Sequence, residues 1–215
     1  MKYRILTLAV IFLSVFTTSC IDVIEEIWIK SDKSGEANFR IDAGTLGILF
    51  SSASDYIDPK MLGEITGAPN KLAPELRKIK GISEVKAINL LKSGKIGIKF
   101  KFDGQKSLNK AYYKIFGIDK RWYYPSVFKV KKHKLKRKNT AKYIKDYLQD
   151  NKENLKNDDL LKMINYKCVY HLPAKVEKIK NESGTKLKSN KTVIQSYDAS
   201  SFINEDVDLG NIIYF

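Results

Sequence analysis

The chain has 215 residues, 43% of them hydrophobic and with twelve Tyr and ten Phe, which excludes a disordered tail and predicts an ordered globule with a substantial core. Its 39 Lys and Arg against 24 Asp and Glu give a formal charge of +15, the balance of a protein that meets anionic partners. Two His and two Cys exclude a multi-histidine zinc centre and a disulfide framework.

Met1 to Cys20 has the order of a secretory leader. Lys2 and Arg4 come first, then an apolar run from Ile5 to Phe16 interrupted by Thr7 and Ser14, then Thr17, Thr18 and Ser19 before Cys20. The run is twelve residues long, short of the roughly 20 that a helix needs to cross a bilayer, so cleavage is predicted rather than a permanent span. Thr18, Ser19 and Cys20 resemble the lipobox of bacterial lipoproteins, with Thr17 where that pattern commonly has Leu. The resemblance implies that a diacylglycerol is joined to the Cys20 sulfur, that residues 1–19 are cut away as a signal peptide, and that the new amine is acylated, for instance by palmitate. Thr17 and Ser19 also suit an ordinary leader peptidase that cuts between small residues.

On the lipoprotein reading the mature chain is a single α+β domain, residues 20–215, held to a membrane by lipid. The leader carries two of the 39 basic residues and none of the 24 acidic ones, which lowers the charge from +15 to +13. Cys168 is then the one free thiol, and the core alone must hold the fold. Set among Tyr166, Val169, Tyr170 and Leu172, it is expected to be a buried, inert thiol on a strand.

Val23 to Lys30 and Ala37 to Ile41 predict a β-hairpin, with Ser31 to Gly35 as its turn and Gly35 supplying a positive φ. The two or three extended residues between Cys20 and this strand reach at most ~10 Å, so the domain is expected to lie close to the membrane. Gly44 to Gly67 is small and apolar and reads as a short helix or a lid. Pro69 and Pro74 bracket Asn70 to Ala73, and Leu72, Leu76 and Ile79 fall at helical spacing before Gly81, which predicts a helix that Gly81 stops. Ile82 to Leu91 and Lys95 to Phe102, joined across Ser93 and Gly94, predict a second hairpin with Ile96, Ile98, Phe100 and Phe102 on one face. Leu108, Ala111, Tyr112, Ile115 and Phe116 mark residues 105–116 as an amphipathic helix that packs on the sheet, with Asn109, Lys110 and Lys114 on its polar face.

Trp122, Tyr123 and Tyr124 precede Pro125, and Val127 to Leu135 reads as one strand. Here the charge is densest. Lys129, Lys131, Lys132, Lys134, Lys136, Arg137 and Lys138 are followed by Lys142 and Lys145 on a predicted helix from Thr140 to Gln149. Such a block is either a solvated edge whose lysines discourage strand pairing or a surface for anionic lipid headgroups, an acidic glycan or an acidic protein. Each Lys or Arg beside an anionic leaflet contributes ~1 kcal/mol. Nucleic acid would use the same charges, with Trp122, Tyr123 and Tyr124 to stack on bases, but it is not expected as the partner of an exported chain.

Asn151 to Lys162 reads as a connection, with Asn157 to Asp159 offering an N-cap for a short helix through Leu160, Leu161 and Ile164. Tyr166 to Leu172, Lys175 to Ile179, Thr192 to Tyr197 and Ile212 to Phe215 predict strands, with a turn at Glu182, Ser183 and Gly184 and with Pro173 at an edge or bulge. The fold class is therefore α+β, an antiparallel sheet built from hairpins with several packed helices. Leu172, Pro173, Ala174, Lys175 and Val176, then Gly184, then Thr192 and Val193, are similar to the closing region of LppM-like lipoproteins and of envelope lipoproteins built in the same way. That resemblance implies an α+β domain associated with envelope lipids and carries over no functional residue.

His133 lies in the lysine block and His171 two residues before Pro173, and no nucleophile elbow, phosphate-binding glycine loop or paired-cysteine motif is present. Asp206 and Asp208 ahead of Gly210 lack the later Glu of a calcium loop and read as a turn between strands. Glu25 and Glu26 are neighbours on a strand and point to opposite faces, which argues against a cooperating acid pair. No catalytic residue, metal ligand or cofactor is nominated. The sequence predicts a non-catalytic, membrane-anchored envelope lipoprotein that binds a lipid, a glycolipid or another anionic envelope component. The alternative is an interaction or assembly subunit of an envelope complex, with Trp28 and Trp122 in a docking patch; an enzyme ranks third. Ile21 stands where some lipoproteins carry an aspartate that retains them at an inner membrane, so the outer membrane, facing the periplasm, is the expected location.

Overall fold

A computed structural model of the chain describes residues 21–44, 59–118, 126–150 and 161–215. Alternating apolar and polar residues build β1 (Ile21–Ile29) and β2 (Gly35–Asp42), paired so that Glu25 lies opposite Phe39 and Ile27 opposite Ala37. The Asp32 carboxylate accepts from the Ser34 amide and hydroxyl in the turn, and Lys33, rather than Gly35, takes the positive φ of 71°. Gly35 is needed for close approach instead. A Cβ there would fall 1.9 Å from the Trp28 carbonyl oxygen and 2.6 Å from the Phe102 ring.

The second hairpin forms as expected, from β3 (Ile82–Leu90) and β4 (Lys95–Phe102) across a 3-10 turn at Leu91–Ser93. β7 (Ile164–His171), β9 (Thr185–Ser189) and β10 (Thr192–Asp198) complete a seven-stranded sheet in the order β3-β4-β2-β1-β7-β10-β9. β1 and β7 run parallel, with Glu25 opposite Cys168. The α+β expectation holds, but the sheet is mixed rather than purely antiparallel, because the chain travels through five strands and three α-helices among the described residues between β1 and β7 and returns in the same direction.

A second, four-stranded sheet of order β5-β6-β11-β8 is built from β5 (Phe128–Lys131), β6 (Lys134–Arg137), β8 (Lys178–Ile179) and β11 (Asn211–Tyr214), antiparallel throughout. The single strand expected from Val127 to Leu135 is thus a hairpin that turns at Lys132 and His133. β8 is shorter than the strand expected from Lys175, β9 was not foreseen, and Ile164 opens β7 instead of closing a helix.

Among the described residues the α-helices are α1 (Pro59–Arg77), α2 (Gln105–Ile115), α3 (Ala141–Asp150) and α4 (Ala199–Asn204). α1 carries both Pro69 and Pro74 inside it and ends at Arg77, whose Nη2 donates to the Val85 carbonyl at 3.2 Å. The Asp198 side chain caps α4 by accepting from the Ser201 amide at 2.9 Å. Cys20 and the leader, most of the expected helix or lid between Gly44 and Gly67, the Trp122 to Pro125 run and most of Asn151 to Lys162 lie outside the described residues.

One continuous core joins these parts. The inner face of the large sheet contributes Ile27, Phe39, Ile98, Phe100, Tyr170 and Val193, the helices add Leu76, Leu108 and Tyr112, and the small sheet adds Phe128, Leu135 and Ile213. Each fully buried side chain of this size contributes ~1.5–3 kcal/mol. On the opposite, outer face of the large sheet, Lys167 meets Asp22 at 2.6 Å, Arg40 meets Glu26 at 2.6 Å and Lys99 meets Glu36 at 2.7 Å.

Candidate functional site

The phase of β1 puts Val23, Glu25, Ile27 and Ile29 on one face, so a carboxylate enters the interior with its apolar neighbours. Glu25 is 1% exposed. Its counter-ion comes from β6, where Leu135 and Arg137 share the inner face of the small sheet and Arg137 is 2% exposed. Arg137 Nη2 donates to Glu25 Oε2 at 3.1 Å and to Thr140 Oγ1 at 3.0 Å, and Nη1 donates to the Tyr170 hydroxyl at 2.6 Å and to Cys168 Sγ. The Tyr166 hydroxyl adds a second donor to Glu25 Oε2 at 3.0 Å. Glu25 Oε1 stands 3.1 Å from Arg137 Nη1 without the alignment of a hydrogen bond, so its contact is purely coulombic.

Burial pushes the Glu25 carboxyl above its ordinary 4.5, against the pull of Arg137 and the Tyr166 hydroxyl. The same burial pushes the Cys168 thiol up to about 12 despite the neighbouring guanidinium. Cys168 is fully buried on β7 and stays a thiol at neutral pH, as its apolar neighbours in sequence predict.

Beside this cluster, an open cleft of about 240 Å³ lies between β1, β2 and β4 of the large sheet and the helices α1 and α2. Val23, Phe39, Ile41, Ile96 and Ile98 form its sheet side, Ala68, Pro69 and Leu72 its α1 side, and Ile115 and Phe116 its α2 side. Ala68 is the small residue on its α1 side, and Gly97 borders it by backbone alone: Gly97 lies opposite Arg40, and a Cβ there would fall 2.3 Å from the Phe39 carbonyl oxygen and 2.6 Å from Arg40 Cβ. Glu25, Tyr166 and Arg40 also border the cleft, but Arg40 is held by Glu26 at 2.6 Å and the first two are engaged as described. Ligand pockets for drug-sized molecules run about 300–1,000 Å³, so this one suits a single chain segment.

No protein-family model matches the chain, and no curated protein matches it by sequence. Among solved structures, the NMR structure of the folded domain of Mycobacterium tuberculosis LppM is similar at a TM-score of 0.42 and 9% identity, over 93% of this chain and 91% of that one. The likeness is loose. It assigns no residue here a role.

The lysine block divides by strand phase. Lys129 and Lys131 on β5 and Lys134 and Lys136 on β6 project from the outer face of the small sheet, paired so that Lys129 lies opposite Lys136 and Lys131 opposite Lys134. Lys132 and Lys138 are exposed at the turn and the strand end. Arg137 departs from the expected cluster: it faces inward and is spent on Glu25. No carboxylate among the described residues pairs with Lys129, Lys131, Lys132, Lys134, Lys136 or Lys138. Nor are the lysines what closes the β5 edge. The Phe128 and Val130 amides on that edge donate to Asn109 Oδ1 at 2.8 Å and Gln105 Oε1 at 2.9 Å, both from α2. Asn109, read from sequence as part of the polar face of the helix, is 8% exposed and turned into this contact.

Glu26 points away from Glu25, as expected, and accepts from Arg40 while standing 2.9 Å from His171 Nε2. His171 stacks on Trp28 with ring centroids 4.7 Å apart, and Lys99 Nζ stands 6.0 Å from the half-buried Trp28 ring. Asp208 accepts from the Gly210 amide at 2.7 Å in the turn that leads from α4 to β11. Among the described residues no helix is long and apolar enough to cross a membrane, and no three His, Cys, Asp or Glu side chains gather as metal ligands would. Sequence reasoning did not foresee the cleft or the Glu25–Arg137 cluster. Its one signal was the phase of β1, which sets Glu25 in line with Ile27 and Ile29.

Proposed function

We propose that this chain is a non-catalytic lipoprotein of the cell envelope, tethered through Cys20, whose domain takes the apolar chain of a lipid or glycolipid into the cleft between the large sheet and helices α1 and α2. The observation that carries this reading is the cleft itself, an open apolar surface beside the buried core. Covering such surface contributes about 25 cal/mol per Å², and the Lys-rich face of the small sheet supplies the positive charge that an anionic component would meet. The leader, the short reach from Cys20 to β1 and the Ile21 that follows Cys20 support an outer-membrane position facing the periplasm.

Ala68 is exposed and borders the cleft, so Ala68→Trp fills it with no change to the buried core. Native mass spectrometry of the mature chain, residues 20–215, which hold every described element, should show co-purifying lipid in the wild type and little in Ala68→Trp. A wild type that carries no lipid and takes none from vesicles contradicts the reading.

A further inference from the structure

The outer faces of the two sheets differ in how they treat their lysines. On the large sheet Lys95, Lys99, Lys101 and Lys167 stand against Asp42, Glu36, Glu84 and Asp22 at 3.6, 2.7, 2.6 and 2.6 Å, and of the outer-face lysines there Lys86, opposite Lys99, and Lys186, opposite Ile194, have no such carboxylate among the described residues. On the small sheet Lys129, Lys131, Lys134 and Lys136 stand against one another across the β5–β6 pair, an arrangement that costs stability, and they do not serve the edge, whose donors α2 already holds. The same face continues across β11 and β8. Ile212 lies opposite Lys136, and Tyr214 lies between Lys134 and Lys178, its ring centroid 5.7 Å from Lys134 Nζ.

We infer that this face, with Lys129, Lys131, Lys134, Lys136 and Lys178 around Tyr214 and Ile212, docks flat on the anionic headgroup layer of the membrane that anchors the chain. The inference rests on the proposed tether and names a second contact for it. A sheet face is flat, as a bilayer surface is, and it offers lysine point charges on long stems rather than the arginine forks that grip one phosphate at a time. Tyrosine and aliphatic side chains between the lysines suit the headgroup boundary, where amphipathic rings settle and lysine stems lie along apolar surface. Because Arg137 and Glu25 join the inner faces of the two sheets, docking by the small sheet turns the outer face of the large sheet, where four lysines are paired with carboxylates, away from the membrane.

The test is flotation of the unlipidated mature chain with phosphatidylcholine vesicles, with and without phosphatidylglycerol. Binding should require phosphatidylglycerol, weaken with salt, and fall at least about tenfold when Lys129, Lys131, Lys134 and Lys136 are all changed to Gln. The matched variant on the other face, Lys95, Lys99, Lys101 and Lys167 all changed to Gln, should bind as the wild type does. Equal binding to both vesicle types, equal loss in both variants, or displacement by inorganic phosphate or an acidic polysaccharide at matched ionic strength overturns the inference. The Ala68→Trp measurement reads the cleft separately, so either proposal can fail without the other.

Discussion

Arg137 on the small sheet reaches Glu25 on the large one, its Nη2 3.1 Å from Oε2, with both side chains shut off from water. Residues 112 positions apart are thereby fixed in one arrangement. A buried ion pair contributes little net stability, but removing one member leaves an uncompensated charge and costs ~3–5 kcal/mol. Arg137→Met and Glu25→Leu should each lower the unfolding free energy measured by urea titration by that order. The double variant should lose much less than the sum of the two, and additive losses would show that the pair does not act as a unit.

Neighbouring glutamates should respond to pH with opposite signs. Burial holds the Glu25 carboxyl above 4.5, so its contribution is complete below 4.5 and is lost as pH rises through the higher folded value. Glu26, partly buried, is nevertheless held below 4.5 by hydrogen bonds from His171 and Arg40. Its contribution is complete above 4.5 and is lost as pH falls through the lower folded value. In urea titrations across this range, the wild type should lose ground to Glu25→Gln as pH rises and to Glu26→Gln as pH falls. Parallel curves for the two variants would contradict the assignment.

Local periodicity made much of this fold legible. The first two hairpins and α2 follow from residues a few positions apart, as does the burial of Cys168 among apolar neighbours. The hairpin of β5 and β6 was also written in the chain: its inward positions are Phe128 and Val130, then Leu135 and Arg137, a change of phase that one strand cannot hold. Charge counting hid it, and grouped Arg137 with lysines that face the other way. The parallel pairing of β1 with β7 and the cleft depend on how distant segments come together, with Ala68 of α1 and Ile98 of β4 on two sides of one space, which no local pattern encodes.

Cys168 should be silent to thiol reagents in the folded protein. It is 0% exposed, and burial pushes it up to about 12, so neither access nor thiolate is available at neutral pH. Labelling under native conditions should track unfolding, with full reaction only in denaturant. Rapid labelling of the folded chain would show that β7 opens locally.

Asn109 holds β5 in place by accepting from the Phe128 amide and donating to the Phe128 carbonyl, each at 2.8 Å. Phe128 is fully buried, so Asn109→Leu leaves two backbone groups without partners where water cannot replace them, at a cost of ~1–3 kcal/mol. Gln105 makes the equivalent contact to Val130 from an exposed position, where water can substitute, and Gln105→Leu should cost less. Hydrogen exchange separates the two: the Phe128 amide should lose protection in Asn109→Leu and keep it in Gln105→Leu. Since β5 carries Lys129 and Lys131, loosening it by Asn109→Leu should also disorder the lysine face without removing any charge, and anionic vesicle binding should weaken while the formal charge stays the same.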